Sequence, residues 1–485
     1  MNIVEPILFQ AKYQPEAPAL AAQGVDVVSY ARLAAQMNAV AHRALASGLK
    51  RGQVVALSTE EPLLHVAAIL GLTQAGIVPV SVGMHKPPAG LRIDAVLRST
   101  SYPFAPQARH LPLDHSWLTG GAPVAVAPSG SEASNEVCRI VLTSGITGDP
   151  KAVALTHALV LARNARFDFV VGGRHPTCSR IYMHMGLAAA LGYQMVVHIL
   201  GRGGCVFFHG TSVENTLRAF EIFRIEAMLA TPASLAQLLT MCDRHPGIDL
   251  HLDTIISGGS LLPLPLVERV RPRLCTHLIT GYGSTETAIS ATAPAHRIAQ
   301  IPGAAGYVTP GVRIEIVDEA DQPLPAGSEG IVRIAGELAV DRYIDDPLES
   351  ARVFRDGWFY PGDLGSLTSD NLLIIAGRQN AVLNAGGGKM AAERVEAVLV
   401  AFPGVSEAAV FMATSPAGVE EVWAALVCRE AIDIEQLRAF CRSRVPPDFL
   451  PTHFRVLDAL PVNTTGKMDR PRLKQMLSAG ARASS

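Results

Sequence analysis

The sequence predicts an α/β protein: a large N-terminal domain of doubly wound parallel sheets with a barrel-like β subregion, then a small α+β C-terminal domain. Three observations carry this. Short apolar runs alternate with helical patterns between Ser29 and Gly283, as strands covered on both faces by helices do. After about Gln300 the pattern shifts to short alternating strands with turn residues. Near Gly377 a glycine-rich stretch opens a third pattern of helix, two strands, helix and strand.

In order, Ser29 caps a predicted helix through YARLAAQMNAVAHRALAS to Gly48, QVVALS reads as a buried strand, PLLHVAAILGLTQ as a helix and IVPVSV as the next strand. The alternation resumes at AMLATP (227–232), a helix from Ser234, TIISGG (254–259), a helix from Leu264 and HLITGYG (277–283). VRIEIVDEADQPLPAGSEGIVRIAG follows as strands of an antiparallel or barrel-like region. The last region reads as a helix from Glu393 to Ala401, strands at 407–412 and 421–428, another helix and a final strand. The closing SAGARASS reads as a frayed tail.

Composition narrows the function. The 485 residues carry 41 Lys and Arg against 43 Asp and Glu, a formal charge of −2, which excludes a general polyanion-binding surface. Hydrophobic residues make up 49% and charged ones 17%, below the usual charged share of about 25%, so a large core and little disorder are expected. The most apolar stretch, Leu63 to Val82, is interrupted by His65, Thr73, Gln74, Gly76 and Pro79 and reads as helix, turn and strand rather than a membrane span. The N-terminus shows no basic segment and no cleavage site. The seven cysteines are scattered without a C-x-x-C pair. A cytoplasmic protein with no membrane span and no nucleic-acid partner is expected.

Chemistry concentrates in RIVLTSGITGDPKAVALTH, Arg139 to His157. It reads as a strand, a loop of hydroxyls and glycines (Thr143, Ser144, Gly145, Thr147, Gly148) ending in Lys151, and a helix opening near Thr156. Such a loop offers backbone N–H groups, hydroxyls and one ammonium to phosphate oxygens. It does not fit a Walker loop, nor do GGGK at 386–389 and TTGK at 464–467. There is no G-x-S-x-G and no G-x-G-x-x-G, so kinase, hydrolase and dehydrogenase readings lose support.

The loop resembles TSGTTGxPKG of the adenylate-forming superfamily of acyl-CoA synthetases, firefly luciferase and peptide-synthetase adenylation domains. Four further segments are similar to that family's motifs in the same order: GYGSTE (281–286), GWFYPGD (357–363), GRQNAVLNAGGGK (377–389) and PVNTTGKMDR (461–470). The resemblance spans essentially the whole chain. It implies ATP-dependent activation of a carboxylic acid to acyl-AMP with release of pyrophosphate, then transfer to the thiol of coenzyme A, with Mg²⁺ required. It also implies a division into residues 1–378, binding ATP and carboxylate, and a mobile lid, 379–485.

The roles implied are as follows. Lys467 stands between the attacking carboxylate and the α-phosphate; Glu286 contacts Mg²⁺ and Thr285 donates to the α-phosphate, although a Ser-Thr-Glu cap at a helix start explains that pair too. Tyr282 and Gly283 lie at the adenine, with Gly258 and Gly259 on its other side. Asp363 accepts from the ribose hydroxyls, and Arg378 either reaches the ribose or pairs between domains. Asn380 is the hinge, and Gly386, Gly387 and Gly388 line the thiol channel unless they form only a mobile loop. Ala189 and Gly281 line the acid pocket, where no acidic residue awaits an ammonium; Asp168 reads instead as a solvated helix face. A small apolar lining suits an aliphatic or aryl acid. The sequence departs from the family at Ile146, Ala152, Ala392 and Arg394. Two alternatives stand: an adenylating enzyme that loads a carrier protein, and a non-catalytic nucleotide-binding homologue.

Overall fold

The structure is a computed structural model. It describes residues 1–482 apart from 23–26, 84–85, 89, 100, 128–131, 145–149, 172–178, 210–212, 246–249, 380–381, 386–387, 415–419 and 463–467. Two compact units emerge: Met1–Arg313 with Ile334–Phe359, and Ile314–Arg333 with Tyr360–Ser485.

In the first unit the strands are β1 (Pro18–Ala22), β2 (Val28–Ser29), β3 (Val54–Ser58), β4 (Val78–Ser81), β5 (Ala95–Arg98), β6 (Arg109–Pro112), β7 (Val137–Ser144), β8 (Pro150–Thr156), β9 (Arg180–Met183), β10 (Cys205–Phe208), β11 (Ala227–Ala230), β12 (Leu252–Gly258), β13 (Cys275–Ser284), β14 (Ala288–Pro294) and β15 (Ala304–Val308). The helices are α1 (Glu5–Tyr13), α2 (Tyr30–Ala46), α3 (Pro62–Gln74), α4 (His157–Val170), α5 (Ala190–Gly201), α6 (Val213–Ile222), α7 (Pro232–Arg244), α8 (Leu264–Leu274), α9 (Ala295–Ile298) and α10 (Pro347–Val353). One sheet runs β6-β5-β3-β4-β7-β8 and is parallel except for the β7–β8 hairpin. Another runs β2-β1-β10-β9-β11-β12-β13-β14-β15, parallel from β1 to β13 and antiparallel beyond.

Local chemistry sets the boundaries. Ser29 caps α2 by accepting from Arg32 N, as its position predicts. α7 starts at Pro232 rather than Ser234, because Thr231 caps it, Pro232 suits the first turn and Ser234 closes a capping box. α3 buries nearly its whole surface and joins one core with residues of both sheets, including Leu57, Leu97, Ile181 and Val206. This is why its sequence is hydrophobic all round rather than striped.

The change of pattern after Gln300 is antiparallel, as expected, but no barrel closes. β16 (Val312–Val317), β17 (Gly330–Gly336), β18 (Phe354–Arg355), β19 (Trp358–Phe359), β20 (Asp363–Leu367) and β21 (Leu372–Arg378) belong to an open sheet. Of these, β18 and β19 belong to the first unit and β20 and β21 to the second, which continues with the β22 (Val382–Ala385) and β23 (Gly388–Ala391) hairpin, α11 (Ala392–Val400), β24 (Val405–Thr414), β25 (Glu420–Cys428), α12 (Ile434–Arg442), β26 (His453–Leu457) and α13 (Arg470–Arg482). Val395, Leu399, Val410, Leu426 and Leu437 form its core. The expected frayed tail is corrected: α13 carries SAGAR as helix to Arg482. No helix among the described residues is long and apolar enough to cross a membrane.

Candidate active site

The phosphate-loop segment keeps the expected strand and the helix opening at Thr156, but a second strand, β8, pairs back on β7 between them. Thr143 on β7 lies opposite Lys151 on β8, so the hydroxyl and the ammonium flank one turn. β8 ends at Thr156, whose Oγ1 accepts from Leu159 N and starts α4. Gly145, Thr147 and Gly148 lie outside the described residues, as does the side chain of Ser144. Lys151 Nζ is 2.8 Å from Asp346 Oδ2.

A second cluster gathers at the carboxyl ends of β12 and β13, where open α/β sheets bind ligands. Gly258 and Gly281 are direct neighbours across these parallel strands, with Gly259 just beyond. Tyr282 and Gly283 flank a bulge in the β13–β14 pairing. A Cβ at Gly283 would sit 1.9 Å from Ala288 O, so only glycine lets the next turn fold back this tightly. In that turn Ser284 Oγ accepts from the N–H groups of Glu286 and Thr287. The local cap considered for Thr285 and Glu286 is therefore real, but β14 follows it, not a helix.

What fixes this turn was not visible in the motif. Arg163 of α4 donates to Thr285 O (3.0 Å), to Glu286 O (3.0 Å) and through two nitrogens to Leu338 O (3.1 and 2.8 Å). Burial lowers its pKa to about 10, so it stays charged at neutral pH. The Glu286 carboxylate accepts from Tyr343 Oη at 2.7 Å, and burial foremost, then the Glu286 charge, drives the Tyr343 phenol far above its ordinary range. Val340 N also donates to Glu286 O, and Ile344 N to Ala152 O. The segment from Leu338 to Asp346 thus ties the Lys151 hairpin to the Glu286 turn. A signal for Arg163 existed: Val160, Arg163, Asn164 and Phe167 form the buried face of α4, and a charge on a core face needs partners.

The acid-pocket positions are small and apolar. Ala189 precedes the first residue of α5, Leu191 reaches to 3.6 Å from a Cβ placed on Gly258, and a Cβ on Gly186 would meet nothing within 4 Å. His184 lies directly after β9. Its ring lies 6.3 Å from that of His209, and its pKa is lowered by burial and then by His209. Asp168 is not simply solvated: its Oδ1 pairs with His198 (3.2 Å) and Arg202 (2.5 Å) of α5. A cavity of about 720 Å³ along residues 86–108 contains none of the predicted site residues.

In the second unit Asp363 and Arg378 are direct partners across β20 and β21, with Arg378 Nε 2.8 Å from Asp363 Oδ1 and Nη1 donating to Pro361 O. Asp363 is buried, with the Arg378 guanidinium against its carboxylate. Arg470 contacts Glu393 (3.2 Å) and Glu396 (2.8 Å) of α11 and donates to Val410 O, anchoring the end of the PVNTTGKMDR segment. Gly388 lies on β23; Asn380, Gly386, Gly387 and Lys467 lie outside the described residues.

Residues 8–344 match the model of the AMP-binding enzyme family, and residues 394–467 that of the AMP-binding enzyme C-terminal domain. The chain belongs to the AMP-binding enzyme family. Among its curated relatives, phenyloxazoline synthase MbtB of Mycobacterium tuberculosis is 28% identical over 97% of this chain but only 34% of its own length; the chain spans about a third of that relative. The 2-succinylbenzoate–CoA ligase of Bacillus licheniformis is 26% identical over 93% of this chain and 95% of its own length. Among solved structures, o-succinylbenzoate CoA synthetase from Bacillus subtilis, in complex with its acyl-adenylate intermediate, superposes with a TM-score of 0.83 at 22% identity, covering 97% of both chains. That likeness is one of fold: the AMP-binding enzyme architecture.

Proposed function

We propose that this AMP-binding enzyme activates a small aliphatic or aryl carboxylic acid with ATP and transfers the acyl group to coenzyme A. In the first step a carboxylate oxygen attacks the α-phosphorus, the bond to the β-phosphate oxygen breaks and pyrophosphate leaves. In the second, the thiol sulfur attacks the acyl carbon and AMP departs.

The observation that carries this is the tie between the Lys151 hairpin and the Glu286 turn through one short segment. It puts the Lys151 cation and the Glu286 carboxylate on a common frame, as binding a metal-complexed triphosphate requires. Thr143, Ser144 and the loop amides to Gly148 would hold the outer phosphates with Lys151, and Thr285 the α-phosphate. Glu286 fits Mg²⁺: it is one carboxylate, oriented by Tyr343, and among the described residues no cluster of three His, Cys, Asp or Glu builds a closed metal cage, which agrees with an ion held largely by phosphate and water. Bound there, Mg²⁺ would neutralise phosphate charge. Tyr282, Gly283, Gly258 and Gly259 are assigned to the adenine, Asp363 to the ribose with Arg378 holding its carboxylate, and Ala189 and Gly281 to the acid. Lys467 is assigned to screening the two anions as they meet. Asn380 is assigned to a hinge dividing residues 1–378 from the lid 379–485, and Gly386 to Gly388 to the thiol channel.

The glycine and alanine lining supports an acid without an ammonium group. Relatives that are CoA ligases along nearly their whole length support the free thiol of coenzyme A. The larger phenyloxazoline synthase, of which this chain spans a third, keeps a carrier-bound thiol as the second reading. The test is acid-dependent ATP–pyrophosphate exchange across short, medium, long-chain and aryl acids, followed by thioester formation with coenzyme A against a phosphopantetheinylated carrier. Exchange with no acid in the panel would overturn the first step, and transfer only to the carrier would overturn the second.

A further inference from the structure

The Lys151–Asp346 pair is more than a surface ion pair. The lysine side chain is 12% exposed and the aspartate 32%, and the two partners differ in freedom. Asp346 is anchored through both its side chain and its backbone. Its Oδ1 accepts from Glu349 N and caps α10, with Pro347 locking the first turn. Its carbonyl accepts from Ser350 Oγ, which in turn accepts from Tyr343 N. Two residues upstream, Ile344 N is bonded to Ala152 O, beside Lys151 itself. One carboxylate oxygen thus holds a helix while the other, Oδ2, faces the ammonium. The Lys151 hydrogen bond lowers the Asp346 pKa, so the carboxylate is ionised at neutral pH. Lys151, by contrast, holds its charge at the end of a four-carbon stem.

If Lys151 serves the triphosphate, as the functional reading has it, the cation is already neutralised before nucleotide arrives. Binding must take the ammonium from Asp346 or bring phosphate charge close to an aspartate that cannot retreat. The same carboxylate waits to recapture Lys151 when pyrophosphate leaves. We infer that Asp346 is a positioning residue that competes with the triphosphate for Lys151, weakening the hold on ATP and easing release of pyrophosphate.

The inference rests on the functional reading, and the experiment separates the two. Titration calorimetry of MgATP into the full chain without acid compares wild type with Asp346→Asn and Asp346→Ser, two neutral residues that both keep the α10 cap. Both variants should lower the Kd for MgATP by about three- to tenfold, the scale of a half-buried ion pair. The gain should shrink as salt rises, and pyrophosphate should become a stronger product inhibitor of net thioester formation by a similar factor, with KM for ATP falling more than kcat changes. A merely structural Asp346 would not improve binding in either variant. If wild type binds MgATP but both variants bind it more weakly, or within twofold of wild type, the inference is overturned alone. A wild type that binds no MgATP overturns the functional reading and the inference with it.

Discussion

Arg163→Met tests whether the Glu286 turn is held from behind. The guanidinium is 2% exposed and supplies four hydrogen bonds to the carbonyls of Leu338, Thr285 and Glu286. Methionine matches the stem but donates nothing. Glu286 O keeps Val340 N, whereas Thr285 O and Leu338 O lose the donor that faces them, at roughly 1–3 kcal/mol for each stranded acceptor. Relief from burying a charge offsets part of this, since burial already lowers the Arg163 pKa to about 10. The net expectation is a loss of about 3 kcal/mol. Urea unfolding of the first unit would read it, together with amide exchange at Glu286, Thr287 and Val340, which should open earlier than the rest of the sheet. Acid-dependent exchange should fall about 100-fold, the scale of a displacement near 1 Å in a reacting constellation. Arg163→Lys, with one nitrogen for three carbonyls, should lie between. A methionine variant within 1 kcal/mol of wild type, with unchanged amide protection, would show that Arg163 does not hold the Glu286 turn.

Other outcomes follow from the same network. His157 Nδ1 accepts from Ile3 N, which demands neutral imidazole, and burial lowers its pKa to about 4; because the unfolded group protonates near pH 6.5, stability should be full above that pH and decline by roughly 2–3 kcal/mol towards pH 4, and His157→Gln should flatten that slope in urea titrations at stepped pH. Arg139 is fully buried, and its Nε and Nη1 have no hydrogen-bond partner among the described residues, so Arg139→Met should cost less than about 1.5 kcal/mol or stabilise the chain; a loss above 3 kcal/mol would contradict this. Arg470→Met strands Glu393 and Glu396, and Glu393 is already raised in pKa by burial. The second unit should lose about 3 kcal/mol in urea unfolding followed by Trp423 fluorescence, and the loss should shrink once the medium is acid enough to protonate both carboxylates.

Much of the fold could be read because buried parallel strands and capped helices write themselves locally. Ser29 and Thr156 sit at helix starts because their hydroxyls answer a need of the next turn. β8 could not be read, since Lys151 to Thr156 pairs with a strand seven or more residues back, and nothing in PKAVALT distinguishes that from a helix entry. Nor could the open course of β16 to β21, because alternation reports a half-buried strand and not whether its sheet closes. The site divides the same way. Thr143, Lys151, Gly281, Tyr282 and Glu286 announce themselves through motifs whose residue types the chemistry demands. Arg163, Tyr343 and Asp346 act on those residues from over 50 positions away, and such partnerships leave no local mark beyond a charge where the core should be.

In the proposed reaction this chain joins a carboxylate to AMP with Lys467 between them. Carboxylate-dependent ATP–pyrophosphate exchange, measured for wild type and Lys467→Ala with the best acid of the panel, tests it most directly. Exchange should appear only with acid and Mg²⁺ and be abolished in the variant, while MgATP binding by the variant should change by less than about tenfold. Full exchange by Lys467→Ala would contradict the role given to that lysine, and MgATP binding by wild type with no exchange for any acid would contradict adenylation itself.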